Sequence, residues 1–290
     1  MNIMGKIIRR LYKTIAEKSI ISKGISRLYK EDDMSMRSLA NVFDAVMKNR
    51  CSDKEKEWIN KIETLRNRLS TSTVEISLTD YGAGSSDSNL TAEEMYQGRV
   101  VVGTVGEICQ SSSISYKTTF LLFKLVREFC PSFCLELGTA LGISAAYQTA
   151  ALELNQNGKI ITLEGADSVA SLAKGNFKEL GFERIDVVVG RFQDRLKEVL
   201  RNNTDIDFVF IDGHHEENAT IAYFKEILPC LSDNAILIFD NINWSCGMER
   251  AWNTIRKDKN LKVALEFLNV GICSFTKSKV EEIKHFKLTI

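Results

Sequence analysis

Four acidic positions and one histidine pair stand out in the second half of the chain for the chemistry they could do. Glu136 precedes a glycine loop, Glu136-Leu-Gly138-Thr-Ala-Leu-Gly142. The glycines would let a backbone turn tightly and approach a ligand closely, but their spacing is not Gly-x-Gly-x-x-Gly. A carboxylate at that turn would repel a pyrophosphate and would suit a cationic group such as an ammonium. Glu164 follows in an equivalent setting, where an acid can accept hydrogen bonds from both hydroxyls of a ribose. Asp212, Asp240 and Asn241 form a second set of hard oxygen donors, suited to Mg²⁺ or a similar divalent ion. The same residues could equally well close turns, as Asp-Gly and Asp-Asn pairs commonly do. His215, three residues after Asp212, carries an imidazole whose ordinary pKa near 6.5 fits general-base work. His214 beside it is the lesser candidate.

These residues need elements that hold them at one edge. From residue 117 the apolar pattern alternates regularly. Strands are expected at 133–137, 159–163, 185–189, 208–211 and 235–239, and helices at 117–129, 144–154, 169–180, 194–200, 219–231 and 248–255. Two further strands, 263–268 and 272–276, are too close for a helix between them, so one should run antiparallel. This order predicts an α/β fold, a Rossmann-like doubly wound and mainly parallel seven-stranded sheet with one antiparallel strand. Ligands bind such sheets beyond the carboxyl ends of the strands. Each candidate residue sits at such an end.

The first 90 residues differ. Ile3, Ile7, Leu11 and Ile15 mark one apolar helix face. Leu39, Val42, Phe43, Val46 and Met47 mark a second. Ser52 to Glu55 reads as a capping box opening a third helix with Trp58, Ile59, Ile62, Leu65 and Leu69 inside. Residues 80–90 read as a Gly/Ser-rich loop, with Asp80 to Ser85 favoured as a linking turn over a lid. The stretch 91–116 is ambiguous, with a helix start at Thr91. The expected division is a helical extension over 1–90 (cap, dimer contact or membrane contact) and a main domain over 91–290.

The chain has 290 residues and zero formal net charge. That total conceals an uneven distribution: residues 1–30 carry +7 and the remainder −7. The main body therefore lacks the basic face that nucleic acid would need. The basic start could lie on an anionic membrane surface, but packing of its apolar face on the main domain or a second subunit is favoured. Seven cysteines without a paired Cys-x-x-Cys spacing fit reduced thiols and a cytoplasmic setting. No apolar run suits a bilayer span or a secretory signal.

Taken in order, LELGTALGIS (135–144), ITLEG (161–165), VVVGRFQD (187–194), DFVFIDGHH (207–215) and ILIFDN (236–241) resemble the strand-end motifs of class I S-adenosylmethionine-dependent methyltransferases. The similarity is greatest to the catechol and caffeoyl-coenzyme A O-methyltransferase group, over roughly residues 115–276. It implies that Gly138 and Gly142 lie against the methionine portion of the cofactor, with Glu136 near it and Ser144 contacting its carboxylate. Glu164 would bind the ribose, and Gly190, Phe192 and Gln193 would border the adenine. Arg191 is unusual at its position and has no implied role. Metal-dependent relatives use an Asp…Asp-Asn set matched by Asp212, Asp240 and Asn241. They often carry Lys where this chain has His215, which with Asp212 is the expected catalytic group. Trp244 could wall an acceptor pocket or belong to the core. The implied reaction is O-methylation of a small-molecule hydroxyl, with S-adenosyl-L-methionine and, in the metal-dependent form, a divalent cation, in a chain that could form a homodimer. Three alternatives stay open: a metal-independent methyltransferase, an NAD-dependent oxidoreductase, and a non-catalytic membrane-associated protein on the same fold.

Overall fold

The computed structural model describes residues 19–82 and 90–288. The stripe Ile3–Ile15 lies outside the described residues, but its continuation is helical over 19–30. There Ile21, Ile25 and Leu28 are buried. Gly24 lies so close to Leu288 that a Cβ would overlap it, and the Arg27 guanidinium sits 5.3 Å over the Phe286 ring. The described end of this segment, 19–30, therefore packs on the C-terminal end of its own chain.

Helix α1 (Met34–Met47) begins where Asp33 accepts from the backbone N–H of Met36. It buries Leu39, Val42, Phe43 and Val46, most of the stripe the pattern marks. Helix α2 (Asp53–Ser70) opens on the expected capping box: Glu55 N–H donates to Ser52 Oγ, and Ser52 N–H donates to Glu55 Oε2 at 2.8 Å. Glu55 also pairs with Lys124 at 2.8 Å, tying the start of α2 to a helix of the main body. The ambiguous stretch resolves into three elements. Strand β1 (Glu75–Asp80) is followed by α3 (Ala92–Gln97), β2 (Arg99–Thr104) and α4 (Val105–Ser112). Capping boxes at Thr91/Glu94 and Thr104/Glu107 start both short helices. Strands β1 and β2 pair antiparallel, so this hairpin crosses residue 90, where the sequence pattern divides extension from main domain.

Helix α5 (Tyr116–Phe129) then leads into the alternation: β3 (Phe133–Leu137), α6 (Ile143–Asn155), β4 (Lys159–Glu164), α7 (Asp167–Leu180), β5 (Ile185–Val189), α8 (Phe192–Asn202), β6 (Ile206–Ile211), α9 (Glu217–Ile227), β7 (Leu231–Phe239) and α10 (Cys246–Ile255). Strands β8 (Leu261–Phe267) and β9 (Val270–Phe275) follow, and β9 runs antiparallel to both β7 and β8. The expected seven strands gain an eighth, β10 (Lys284–Lys287), parallel to β8 at the edge. Its sequence, Lys-His-Phe-Lys, holds one apolar residue, too few to show a strand pattern. The order is β10-β8-β9-β7-β6-β3-β4-β5. The chain moves outward from β3 through β4 to β5, then returns to β6 on the other side. That reversal opens a crevice beyond the carboxyl ends of β3 and β6.

Side chains alternate across the sheet as the strand period requires. Cys134, Phe208, Phe210, Ile236 and Ile238 join one apolar layer with α5, α6 and the N-terminal helices. Leu135, Leu137, Val209, Ile211, Leu237 and Phe239 join the other, with α8, α9 and α10. Both faces are covered, so central strands such as β3 are buried at every residue. The first layer runs without a break from Ile21 to Leu288, so the N-terminal helices share the core of the sheet.

Candidate active site

The crevice is a cavity of about 710 Å³ at the carboxyl ends of the strands. Gly138, Ser144, Glu164, Phe192, Gln193, Asp212, His215, Asp240 and Asn241 all line it. Glu136, Gly142 and Gly190 do not.

The loop after β3 depends on Gly138, which has φ +108°; a Cβ there would lie 1.9 Å from the Asp212 carbonyl oxygen. The β3 and β6 loops can meet only with a hydrogen in that place. The N–H groups of Gly138 and Thr139 both donate to the Leu163 carbonyl, fixing the loop against β4. Gly142 caps α6 at φ +87°, and Gly190 turns the chain after β5 at φ +129°.

Glu136 is one residue short of the end of β3, in register with Thr162. Its side chain lies under the cavity wall, fully buried, where it accepts from Gln148 Nε2 at 2.8 Å and from Thr162 Oγ1 at 2.5 Å. Burial raises its pKa to about 7 against the hydrogen bonds that favour the ion. Glu164, the last residue of β4, does face the cavity. Its two oxygens accept from Ala140 N–H at 2.8 Å and Ala166 N–H at 2.9 Å. Those bonds fix its orientation and leave further lone pairs free for a pair of hydroxyls. Burial raises its pKa as well.

Asp212 and Asp240 come together from adjacent strands and are hydrogen-bonded to each other. Burial is the main cause raising both: Asp240 to about 6, and Asp212 well above the carboxylate range, with the neighbouring Asp240 charge adding to its rise. Such a pair holds a proton between its members in the absence of a cation. Asn241 Oδ1 accepts from Asn269 Nδ2 at 2.9 Å, and the same amide nitrogen is 3.4 Å from Asp240 Oδ1. Asn269 also takes Ile242 N–H on its carbonyl. The β8–β9 turn thus orients the Asp240-Asn241 pair, a role that nothing in the sequence pattern announces.

His215 Nε2 is 3.6 Å from Asp212 Oδ1, and its ring lies 5.6 Å from that of Trp244. Burial lowers its pKa to about 4, so the imidazole is neutral near pH 7 and a weaker base than its type implies. Trp244 does wall the cavity. His214 turns aside, its Nδ1 2.7 Å from Tyr223 Oη and 3.4 Å from Gln193 Nε2. His214, His215, Asn241 and Ala140 all have positive φ, between 44° and 67°. Four non-glycine residues in this costly conformation border one cavity, as strained residues do at functional sites.

Asp80, Tyr81 and Gly82 line the cavity from the N-terminal hairpin; residues 83–85 of the linking turn are outside the described residues. Arg191 lines it too. Its Nε donates to Asp194 at 2.6 Å, Nη1 donates to the Tyr96 carbonyl at 2.9 Å, and its guanidinium stacks 3.8 Å over the Tyr96 ring. It is the only Lys or Arg among the described residues that line the cavity.

Asp212, Asp240 and Asn241 fit a hard divalent ion. They offer two close carboxylates that otherwise need a shared proton, and an amide oxygen beside them. No group of three His, Cys, Asp or Glu side chains able to hold a metal occurs among the described residues.

A doubly wound sheet, a glycine loop after its central strand and an acid at the end of the next strand define a Rossmann-like fold with its crevice at the strand ends. Comparison with known proteins agrees. Residues 135–242 match a family described as a methyltransferase domain. An O-methyltransferase from Bacillus cereus in complex with S-adenosylhomocysteine is 23% identical, with a TM-score of 0.51, covering 58% of this chain and 84% of its own. The O-methyltransferase TomG from Streptomyces achromogenes, involved in tomaymycin synthesis and solved with S-adenosylmethionine, is 21% identical with a TM-score of 0.50, covering 57% and 82%. A putative caffeoyl-CoA O-methyltransferase from Staphylococcus aureus is 18% identical with a TM-score of 0.51, covering 59% and 88%. No curated protein matches the sequence. No helix among the described residues is long and apolar enough to cross a membrane.

Proposed function

We propose that this protein is an S-adenosylmethionine-dependent methyltransferase that acts on the hydroxyl oxygen of a small molecule. The carrying observation is a single cavity holding both an anchored acid, Glu164, and the Asp212–His215–Asp240–Asn241 cluster. The first suits the ribose of the cofactor; the second can orient and deprotonate an acceptor. Gly138 and Ser144 would lie along the methionine portion, with Glu136 beneath it. Phe192 and Gln193, after the Gly190 turn, would border the adenine. The acceptor oxygen attacks the methyl carbon in line with the sulfur. A C–O bond forms, the S–C bond breaks with its electrons passing to sulfur, and the hydroxyl proton leaves to a base. Alignment of the reactants can supply up to about 7–11 kcal/mol.

Asp212, Asp240 and Asn241 would hold a divalent ion, which would supply Lewis-acid chemistry that lowers the pKa of the hydroxyl. In the metal-independent reading, Asp212 and His215, 3.6 Å apart, would orient the acceptor and take its hydroxyl proton without an ion. Acceptor turnover before and after chelation separates the two. The paired state of Arg191 leaves the cavity without a free cation among the described residues, so nucleic acid is not an expected partner. A cytoplasmic location agrees with seven free thiols, and a homodimer remains a proposal for solution sizing.

Isothermal titration with S-adenosylhomocysteine and, separately, NAD tests the cofactor. Transfer of labelled methyl from S-adenosylmethionine to a panel of hydroxylated acceptors tests the reaction. Binding of NAD without S-adenosylhomocysteine would refute the reading.

A further inference from the structure

We propose that Tyr81, on the N-terminal hairpin, is the outer aromatic wall of the adenosine subsite. This rests on the cofactor reading above. Tyr81 follows β1, far from the matched segment 135–242, and it lines the cavity. Its ring is gripped by opposite edges. A Cβ on Gly165 would lie 2.7 Å from Tyr81 Cδ2, and a Cβ on Gly98 would lie 2.7 Å from Cε1. Side chains at both positions are missing where the ring needs the space. With both edges occupied, the part of the ring left to meet a ligand is a face.

The location specifies the ligand. Gly165 directly follows Glu164, whose anchored carboxylate suits ribose hydroxyls. Asp80, next to Tyr81, is close enough to Glu164 to raise its pKa. An aromatic face beside a ribose site matches a nucleobase, since every base offers a π-face to stack on. The hairpin is also secured there. Ser168 Oγ, on α7, donates to the Ser77 carbonyl at 2.8 Å, and Arg99 pairs with Asp80 at 3.0 Å. Arg191 clasps Tyr96 on the neighbouring short helix. The N-terminal segment thus supplies a wall that the core motifs lack, and Tyr81 is a cofactor-binding residue outside them.

The test measures S-adenosylhomocysteine dissociation constants by calorimetry on the full chain, with the melting temperature of each ligand-free variant as a control. Tyr81→Ala and Tyr81→Leu should weaken binding about tenfold or more, the range of one lost base–aromatic stack. Tyr81→Phe keeps the face and should stay within about twofold. Gly165→Ala should weaken binding by displacing the ring. If wild type binds and the Tyr81→Leu variant, with an unchanged melting temperature, binds within about twofold, the inference is overturned. A Tyr81→Phe loss as large as that of Tyr81→Leu also overturns it, because the hydroxyl would then carry the effect. If the wild type fails to bind, the cofactor reading itself falls.

Discussion

Glu136 should make the protein less stable as pH rises, and Glu136→Gln should remove that dependence. The carboxyl is fully buried and its pKa rises from 4.5 to about 7 on folding, mainly through burial. The sign follows from proton binding. The folded state holds the proton more tightly than the unfolded state, so the stabilising linkage is complete below about pH 4.5 and is lost as pH rises through about 7. At about 1.4 kcal/mol per tenfold change in proton affinity, the loss amounts to about 3 kcal/mol. Glutamine keeps the shape and the hydrogen-bond chain. Its oxygen can accept from Gln148, and its nitrogen can donate to Thr162, which can donate in turn to Thr139, whose hydroxyl is 2.6 Å away. Urea unfolding of both proteins at pH 5, 6, 7 and 8 isolates the effect, because every other titrating group is common to the two. The stability of the Glu136→Gln variant relative to wild type should climb by about 2.5 kcal/mol across that range. Parallel pH profiles would refute the assignment of a buried, proton-retaining carboxyl.

Glu164→Gln should weaken S-adenosylhomocysteine binding by roughly 10- to 100-fold in a calorimetric titration, the range for losing charged hydrogen bonds to hydroxyls. Gly138→Ala should lower the melting temperature measurably and abolish binding, since its Cβ would overlap the Asp212 carbonyl. Asp240→Asn removes half of the buried carboxyl pair; if a metal assists, it should cut turnover and its recovery by Mg²⁺ after chelation, with S-adenosylhomocysteine affinity little changed. Asn269→Ala should reduce turnover several-fold in the methyl-transfer assay, because it frees the Asn241 side chain from the β8–β9 turn.

The strand-end residues were legible because alternating β and α segments leave little choice of architecture, and that architecture dictates where ligands go. Glu164, Asp212 and Asp240 needed only their position after an apolar run. Glu136 shows the limit of that reasoning. It lies one residue before the end of β3, so the two-residue period turns it into the α6 layer with Cys134, toward Gln148, rather than toward the cavity. The pKa of His215 was misjudged from its type, since burial by Trp244 and the sheet edge is a tertiary property. Asn269 and the Arg191–Tyr96 clasp were not legible at all, and Tyr81 only as part of Asp80 to Ser85, read as a linking turn in preference to a lid. Each acts across a sequence gap that periodicity does not span, and none is flanked by a local signal stronger than a turn. The 91–116 stretch hid its order in elements of six to eight residues, shorter than the window in which helix and strand periods separate.

The costs in this fold gather at one place. Ala140, His214, His215 and Asn241 hold unfavourable backbone conformations, and Glu136, Glu164, Asp212 and Asp240 are carboxyls that burial keeps from ionising freely. A protein selected for stability alone would replace such groups with apolar ones, which pack as well and need no proton. Their retention around one cavity is accounted for if that cavity receives positive charge. A cationic ligand would meet Glu164 of β4, with Glu136 of β3 behind the wall, and a cation or a proton would sit between the acids of β6 and β7.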